Sequence, residues 1–81
     1  MKNLIVQFYT KPKCELCEDG YRLLKLVQED YSFEIETINI EEDDAIHEEY
    51  MLMIPVVKYG PNIIQWGRLD YPTLLEALSL K

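Results

Sequence analysis

Cys14 and Cys17 are the only cysteines of the chain, separated by Glu15 and Leu16. Two thiols at this spacing can hold a metal, exchange electrons as a disulfide, or do nothing. Structural zinc requires four protein ligands. The one further soft candidate is His47, alone in an acidic stretch with no second histidine near it. A two-coordinate Cu(I) site needs only two thiolates. As a staple the pair is poor, because a disulfide closing so short a loop removes little chain entropy from the unfolded state. Reactivity therefore explains the two cysteines better than stability does.

Redox chemistry asks for one exposed, ionised thiol and a second close enough to resolve a mixed disulfide. The first turn of a helix supplies both, since its unpaired N–H groups and dipole favour a thiolate. A residue three positions on lies on the same face. A free thiol with a pKa of about 8.5 is only a few per cent ionised at pH 7. Lowering that pKa by about two units takes roughly 2.7 kcal/mol of preferential thiolate stabilisation. Lys11 and Lys13 favour the charged form, whereas Glu15, Glu18 and Asp19 oppose it. Cys14 is thus expected to be the nucleophile and Cys17 the resolving thiol.

The elements that must position them can be read from the pattern. Leu4 to Tyr9 is a short apolar run of strand-forming residues, and Lys11-Pro12-Lys13 breaks it. From Cys14 to about Asp30 the spacing is helical, with Leu16, Leu23, Leu24 and Val27 near one face. Gly20 lies inside this helix and weakens it by up to ~1 kcal/mol. Phe33 to Ile40 alternates as a strand whose second half is apolar on both faces. Asp43 or Asp44 caps a short helix carrying Ile46 and Tyr50. Val56–Tyr59 and Ile63–Trp66 form a hairpin around Gly60-Pro61-Asn62. Asp70 caps a final helix with Leu74, Leu75 and Leu78 inward. The order β-α-β-α-β-β-α predicts a parallel pair from the βαβ unit and an antiparallel hairpin at the edge. A Cu(I) carrier of the small β-α-β-β-α-β type would lack the second helix before the hairpin.

Bulk properties bound the partners. The chain has 81 residues and 48% apolar content, so a single domain, 1–81, is expected. Its net charge of −7 disfavours nucleic acid and anionic membrane, both of which need basic patches. The run Glu41-Glu42-Asp43-Asp44, with Glu48 and Glu49, reads as a solvated helix start and face. No segment approaches the run of about 18 apolar residues that spans a bilayer, and the N-terminus does not read as a signal peptide. A cytoplasmic monomer is the expectation.

These residues resemble the glutaredoxin branch of the thioredoxin fold. The resemblance rests on a strand ending in Tyr9-Thr10, then Lys11-x-x-Cys14-x-x-Cys17 and a long helix. Downstream it rests on Met53-Ile54-Pro55-Val56-Val57 and on Gly67 followed by Asp70. It implies an α/β thioredoxin-like fold with a four-stranded mixed sheet flanked by helices. It also implies a cis Pro55 facing the cysteines, and an Ile54 backbone offered to a bound peptide as an added strand. Lys11, Ile54, Pro55, Gly67 and Asp70 become substrate-binding candidates beside the catalytic Cys14 and Cys17. No resident cofactor is implied, although glutathione is admitted as a co-substrate. The chain departs from the family in three places: Glu15-Leu16 replaces Pro-Tyr, Trp66-Gly67 replaces paired glycines, and Leu69 stands where a polar residue is common.

The implied activity is thiol-disulfide exchange with a disulfide-containing protein or a small thiol. The alternative is a non-catalytic thioredoxin-fold module. It would bind a protein partner through the acidic Glu41–Glu49 face and the groove by Pro55, with the thiols as a sensor or a vestige.

Overall fold

The structure, a computed structural model, describes residues 4–79; both ends of the expected domain 1–81 fall outside these. Strand β1 (Leu4–Thr10) leads into helix α1 (Glu15–Asp30), and strand β2 (Phe33–Asn39) follows. A 3-10 turn (Ile40–Glu42) connects to helix α2 (Asp44–Tyr50). Strands β3 (Val56–Tyr59) and β4 (Asn62–Trp66) and helix α3 (Tyr71–Ser79) complete the order. The sheet runs β2-β1-β3-β4. β1 and β2 are parallel, in register from Leu4↔Phe33 to Thr10↔Asn39, while β3 is antiparallel to β1 and β4 antiparallel to β3. The expected α/β architecture, element order and mixed sheet are all present.

Strand alternation divides the core between the two faces of the sheet. Val6, Phe8, Phe33 and Val57 meet Leu24 and Val27 of α1 and Leu74 and Leu78 of α3 on one side. Val56 and Tyr9 meet Ile40, Ile46 and Tyr50 on the other. Burying each large aliphatic or aromatic side chain contributes about 1.5–3 kcal/mol. The strand ends at Asn39, and the full burial expected of the second half of the segment is confined to Ile40, which lies in the 3-10 turn and packs with Ile46 and Tyr50 of α2; Thr37 is exposed and Ile38 half-buried. On that face Lys58 Nζ donates to Tyr50 Oη at 3.1 Å and lies 5.8 Å from the Tyr9 ring centroid. The bond to Tyr50 raises the Lys58 pKa, and burial raises that of Tyr9.

Helix α1 differs from the expected face. Its buried residues are Cys17, Gly20, Leu24 and Val27, whereas Leu16 and Leu23 are only half-buried. The stripe therefore begins with a cysteine and a glycine. A Cβ on Gly20 would lie 2.8 Å from Leu69 Cδ1 and 3.2 Å from Pro55 Cγ. The glycine that costs the helix propensity is the point where the Pro55 turn and Leu69 approach α1. Leu69, the departure from the family's polar residue, is buried at 6% exposure and belongs to the main core.

Candidate active site

β1 ends at Thr10, and the chain reverses through Pro12 and Lys13 before α1 begins at Glu15. Lys13 occupies the left-handed region, with φ of 58°. For a side-chain-bearing residue that conformation costs of order 1 kcal/mol, and such strain concentrates at functional sites. It delivers Cys14 in an extended conformation (φ −120°, ψ 102°) as the N-cap of α1, so the helix begins at Glu15, one residue later than expected. Cys14 Sγ accepts the Cys17 N–H at 3.1 Å, and the Cys14 carbonyl accepts the first helical bond, from Glu18 N–H at 3.0 Å. The sulfur thus takes the place of the usual capping oxygen. In the reduced protein the same donor and the helix dipole favour the thiolate.

The two cysteines are joined as a disulfide, with Cα atoms 5.2 Å apart. Cys14 is partly exposed and Cys17 is 2% exposed. This is the asymmetry that an attacking and a resolving thiol require.

Of the remaining predicted residues, Ile54, Pro55 and Gly67 gather into a second group. The Ile54–Pro55 peptide is cis and opens β3, and the Pro55 ring lies against α1 at Gly20, one turn beyond Cys17. Gly67 N–H donates to both Met53 O and Pro55 O at 2.9 Å, fastening the end of β4 to this turn. Gly67 has φ of 74°, the left-handed geometry that glycine adopts without penalty. Ile54 N–H donates to Tyr50 O at 3.2 Å, so the donor expected to pair with a bound peptide already has an internal partner.

Asp70 is a helix cap. Its Oδ1 accepts Thr73 N–H at 2.9 Å, and its Oδ2 accepts Thr73 Oγ1–H at 2.7 Å and Gln65 Nε2–H at 3.3 Å. The bonds from Thr73, first from its hydroxyl, hold the Asp70 pKa below 3.8. Lys11 is exposed on the loop before the cysteines.

Sequence reasoning marked Gly20 only as a weak point of the helix and Leu69 only as a departure from the family's polar residue, and did not foresee their contact with each other and with Pro55. A signal for Gly20 existed, because Cys17, Gly20, Leu24 and Val27 follow one helical stripe. It also missed an open groove of about 580 Å³ beside the disulfide, which takes in Phe8, Tyr21, Arg22 and Thr37. No helix among the described residues is long and apolar enough to cross a membrane.

The sheet order, helices on both faces, Cys-x-x-Cys at the start of α1 and cis-proline at the start of β3 define a protein of thioredoxin fold. A model of the glutaredoxin-like domain (DUF836) matches residues 5–79, and the chain belongs to that family. No curated protein sequence matches the chain. Among solved structures it is similar to protein XcR50 from X. campestris, with a TM-score of 0.80 and 22% identity over 94% of this chain and 97% of that one. It is also similar to Ne2328 from Nitrosomonas europaea, with a TM-score of 0.79 and 23% identity over 95% and 93%. Thioredoxin 1 from Thermosipho africanus aligns with a TM-score of 0.61 at 14% identity, over 95% and 97%. At these identities the likeness establishes a common fold.

Proposed function

We propose that the protein is a thiol-disulfide oxidoreductase working through Cys14 and Cys17. The observation that carries this reading is Cys14 Sγ at the N-cap of α1, accepting the Cys17 N–H beside an open groove. In the cycle, Cys14 thiolate attacks one sulfur of a substrate disulfide. A Cys14–substrate bond forms, the substrate S–S bond breaks, and one substrate thiolate leaves with the electron pair and takes up a proton. Cys17 thiolate then attacks Cys14 Sγ, forming the internal disulfide and releasing the second substrate thiol. The substrate gains two electrons and the protein loses two. Two equivalents of a thiol such as glutathione, or one dithiol protein, reopen the pair, so the cycle needs no resident cofactor and suits a reducing cytoplasm.

Lys11, Gly67 and the Ile54–Pro55 turn are the substrate contacts in this reading, and Asp70 supports them from the start of α3. Leu52, 88% exposed, precedes the Pro55 turn, and Trp66, 54% exposed, pairs with Val56 across the β3–β4 hairpin; both suit a disulfide carried on a protein.

The test is steady reduction of a protein disulfide or hydroxyethyl disulfide, with glutathione or a thioredoxin system as reductant. Turnover in the wild type, its loss in Cys14→Ser, and a trapped mixed disulfide in Cys17→Ser are expected. Absence of turnover with both reductants, with a partner still retained by Cys14→Ser, would instead establish the non-catalytic module.

A further inference from the structure

The negative charge of the molecule is concentrated in one segment. Eight of its 15 acidic residues lie between residues 34 and 49, where there is no lysine or arginine. The rest of the chain carries 8 basic residues against 7 acidic ones, so the whole excess belongs to this segment. It takes in most of β2, the 3-10 turn and most of α2. The exposed Glu34 and Glu36 of β2 pair with Ile5 and Gln7 of β1, on the sheet face that carries Tyr9 and α2. Glu36 and Glu49 both oppose ionisation of Tyr9, so the acids of β2 and of α2 share one surface. Lys58, opposite Gln7 on that face, is already engaged by Tyr50 Oη at 3.1 Å.

β2 is also an edge of the sheet: among the described residues a strand lies on one side of it only. Such an edge offers backbone N–H and C=O groups to a further strand. The Phe33 carbonyl is engaged by Gln28 Nε2 at 2.7 Å, which leaves the stretch from Glu34 onward. There a cleft of about 320 Å³ is lined by Ile5, Glu34, Ile35 and Glu36. Ile5 is 48% exposed. An apolar wall beside two carboxylates suits a lysine or arginine, whose carbon stem packs on the isoleucine while its charged end meets the glutamates. A second copy of the chain does not suit it, because antiparallel pairing of two β2 strands sets glutamate against glutamate.

We infer that β2 is a docking edge for a basic segment of another protein, which adds to the sheet as a further strand. Its alternate lysines or arginines lie over Glu34 and Glu36, and the acids of α2 draw it in at longer range. Thr37, on the same strand, also lines the groove beside the disulfide, so a protein docked on β2 stands next to that groove. The docking needs neither thiol and goes beyond the proposed exchange.

The test uses the wild-type protein with its disulfide closed and peptides without cysteine, so that no exchange occurs. A peptide alternating lysine and valine is titrated beside one alternating glutamate and valine, and beside the lysine peptide N-methylated along one backbone edge. Amide chemical shifts are followed. The lysine peptide is expected to move the amides from Glu34 to Ile38, to bind more weakly as salt is added, and to lose its binding when N-methylated. Glu34→Gln with Glu36→Gln should weaken it by about two- to ten-fold, as expected for two exposed charge contacts. Glu29→Gln with Glu76→Gln, on the other helices, should leave it unchanged. The amide spectrum of each variant verifies its fold. Shifts confined to α2 and the turn before it would overturn the inference. So would equal binding of the glutamate peptide, no binding of the lysine peptide, or an affinity indifferent to N-methylation or to the two β2 substitutions. Because this titration uses no thiol, its failure is distinct from a failure of turnover in the wild type.

Discussion

Cys14 combines two jobs that are usually divided between residue types. It ends the β1–α1 turn as a helix cap, and it carries the sulfur that the proposed exchange needs. The helix start was legible from Pro12 and from the acids after Cys14. That the sulfur itself is the cap was not, because Cys is not a usual capping residue and Lys13 is not a usual left-handed one. Once the pair is reduced, the donated Cys17 N–H and the helix dipole should hold the Cys14 pKa below that of free cysteine. Iodoacetamide at pH 6 to 7 is then expected to alkylate Cys14 faster than free cysteine, with Cys17 protected by its burial. Alkylation of Cys14 at or below the rate of free cysteine would remove the case for it as nucleophile.

Among the elements, the contact of α1 with the Pro55 turn is the most exposed to test. In an open helix Gly→Ala gains about 1 kcal/mol. At Gly20 the added Cβ meets Leu69 Cδ1 at 2.8 Å and the Pro55 ring at 3.2 Å. Leu69 is buried, and the Pro55 ring can give only by the small shift of a change of pucker, so overpacking of about 1–3 kcal/mol should outweigh the propensity gain. Gly20→Ala is expected to lower the urea midpoint. In combination with Leu69→Ala its cost should fall, because the cavity admits the new methyl. A more stable Gly20→Ala protein would mean that the turn is not seated on α1 in this way. Sequence pattern supplied the order of the elements because each segment has a clear period and clear breakers. It did not supply this contact, which joins residues 20, 55 and 69 from three separate segments. The start of α3 can be tested by pH. The folded-state pKa of Asp70 is depressed, so its stabilisation is complete above the unfolded value near 3.8 and is lost as the pH falls through the folded value. Acid unfolding of Asp70→Asn should accordingly be less steep below pH 3.8 than that of the wild type.

For the molecule as a whole, parallel pairing of β1 with β2 makes α1 a crossover and leaves its N-terminus beyond the C-terminal end of β1, an interior strand of the sheet. The redox pair, the Pro55 turn and the open groove all collect around that end of α1. The acidic Glu41–Asp44 run and Glu48 and Glu49 stay exposed around α2, as their solvated reading anticipated. The groove could not be read from the sequence, since its lining is scattered between residues 8 and 37 and only folding assembles it. The reduction potential is likewise a property of the whole fold, set by how much better it holds the disulfide than the two thiols. An exchange-active couple must lie within reach of cellular thiols. Titration of the Cys14/Cys17 pair against dithiol and glutathione buffers is therefore expected to give a two-electron midpoint between about −270 and −120 mV. A midpoint below about −300 mV, the range of structural disulfides, or no equilibration at any poise, would contradict the account.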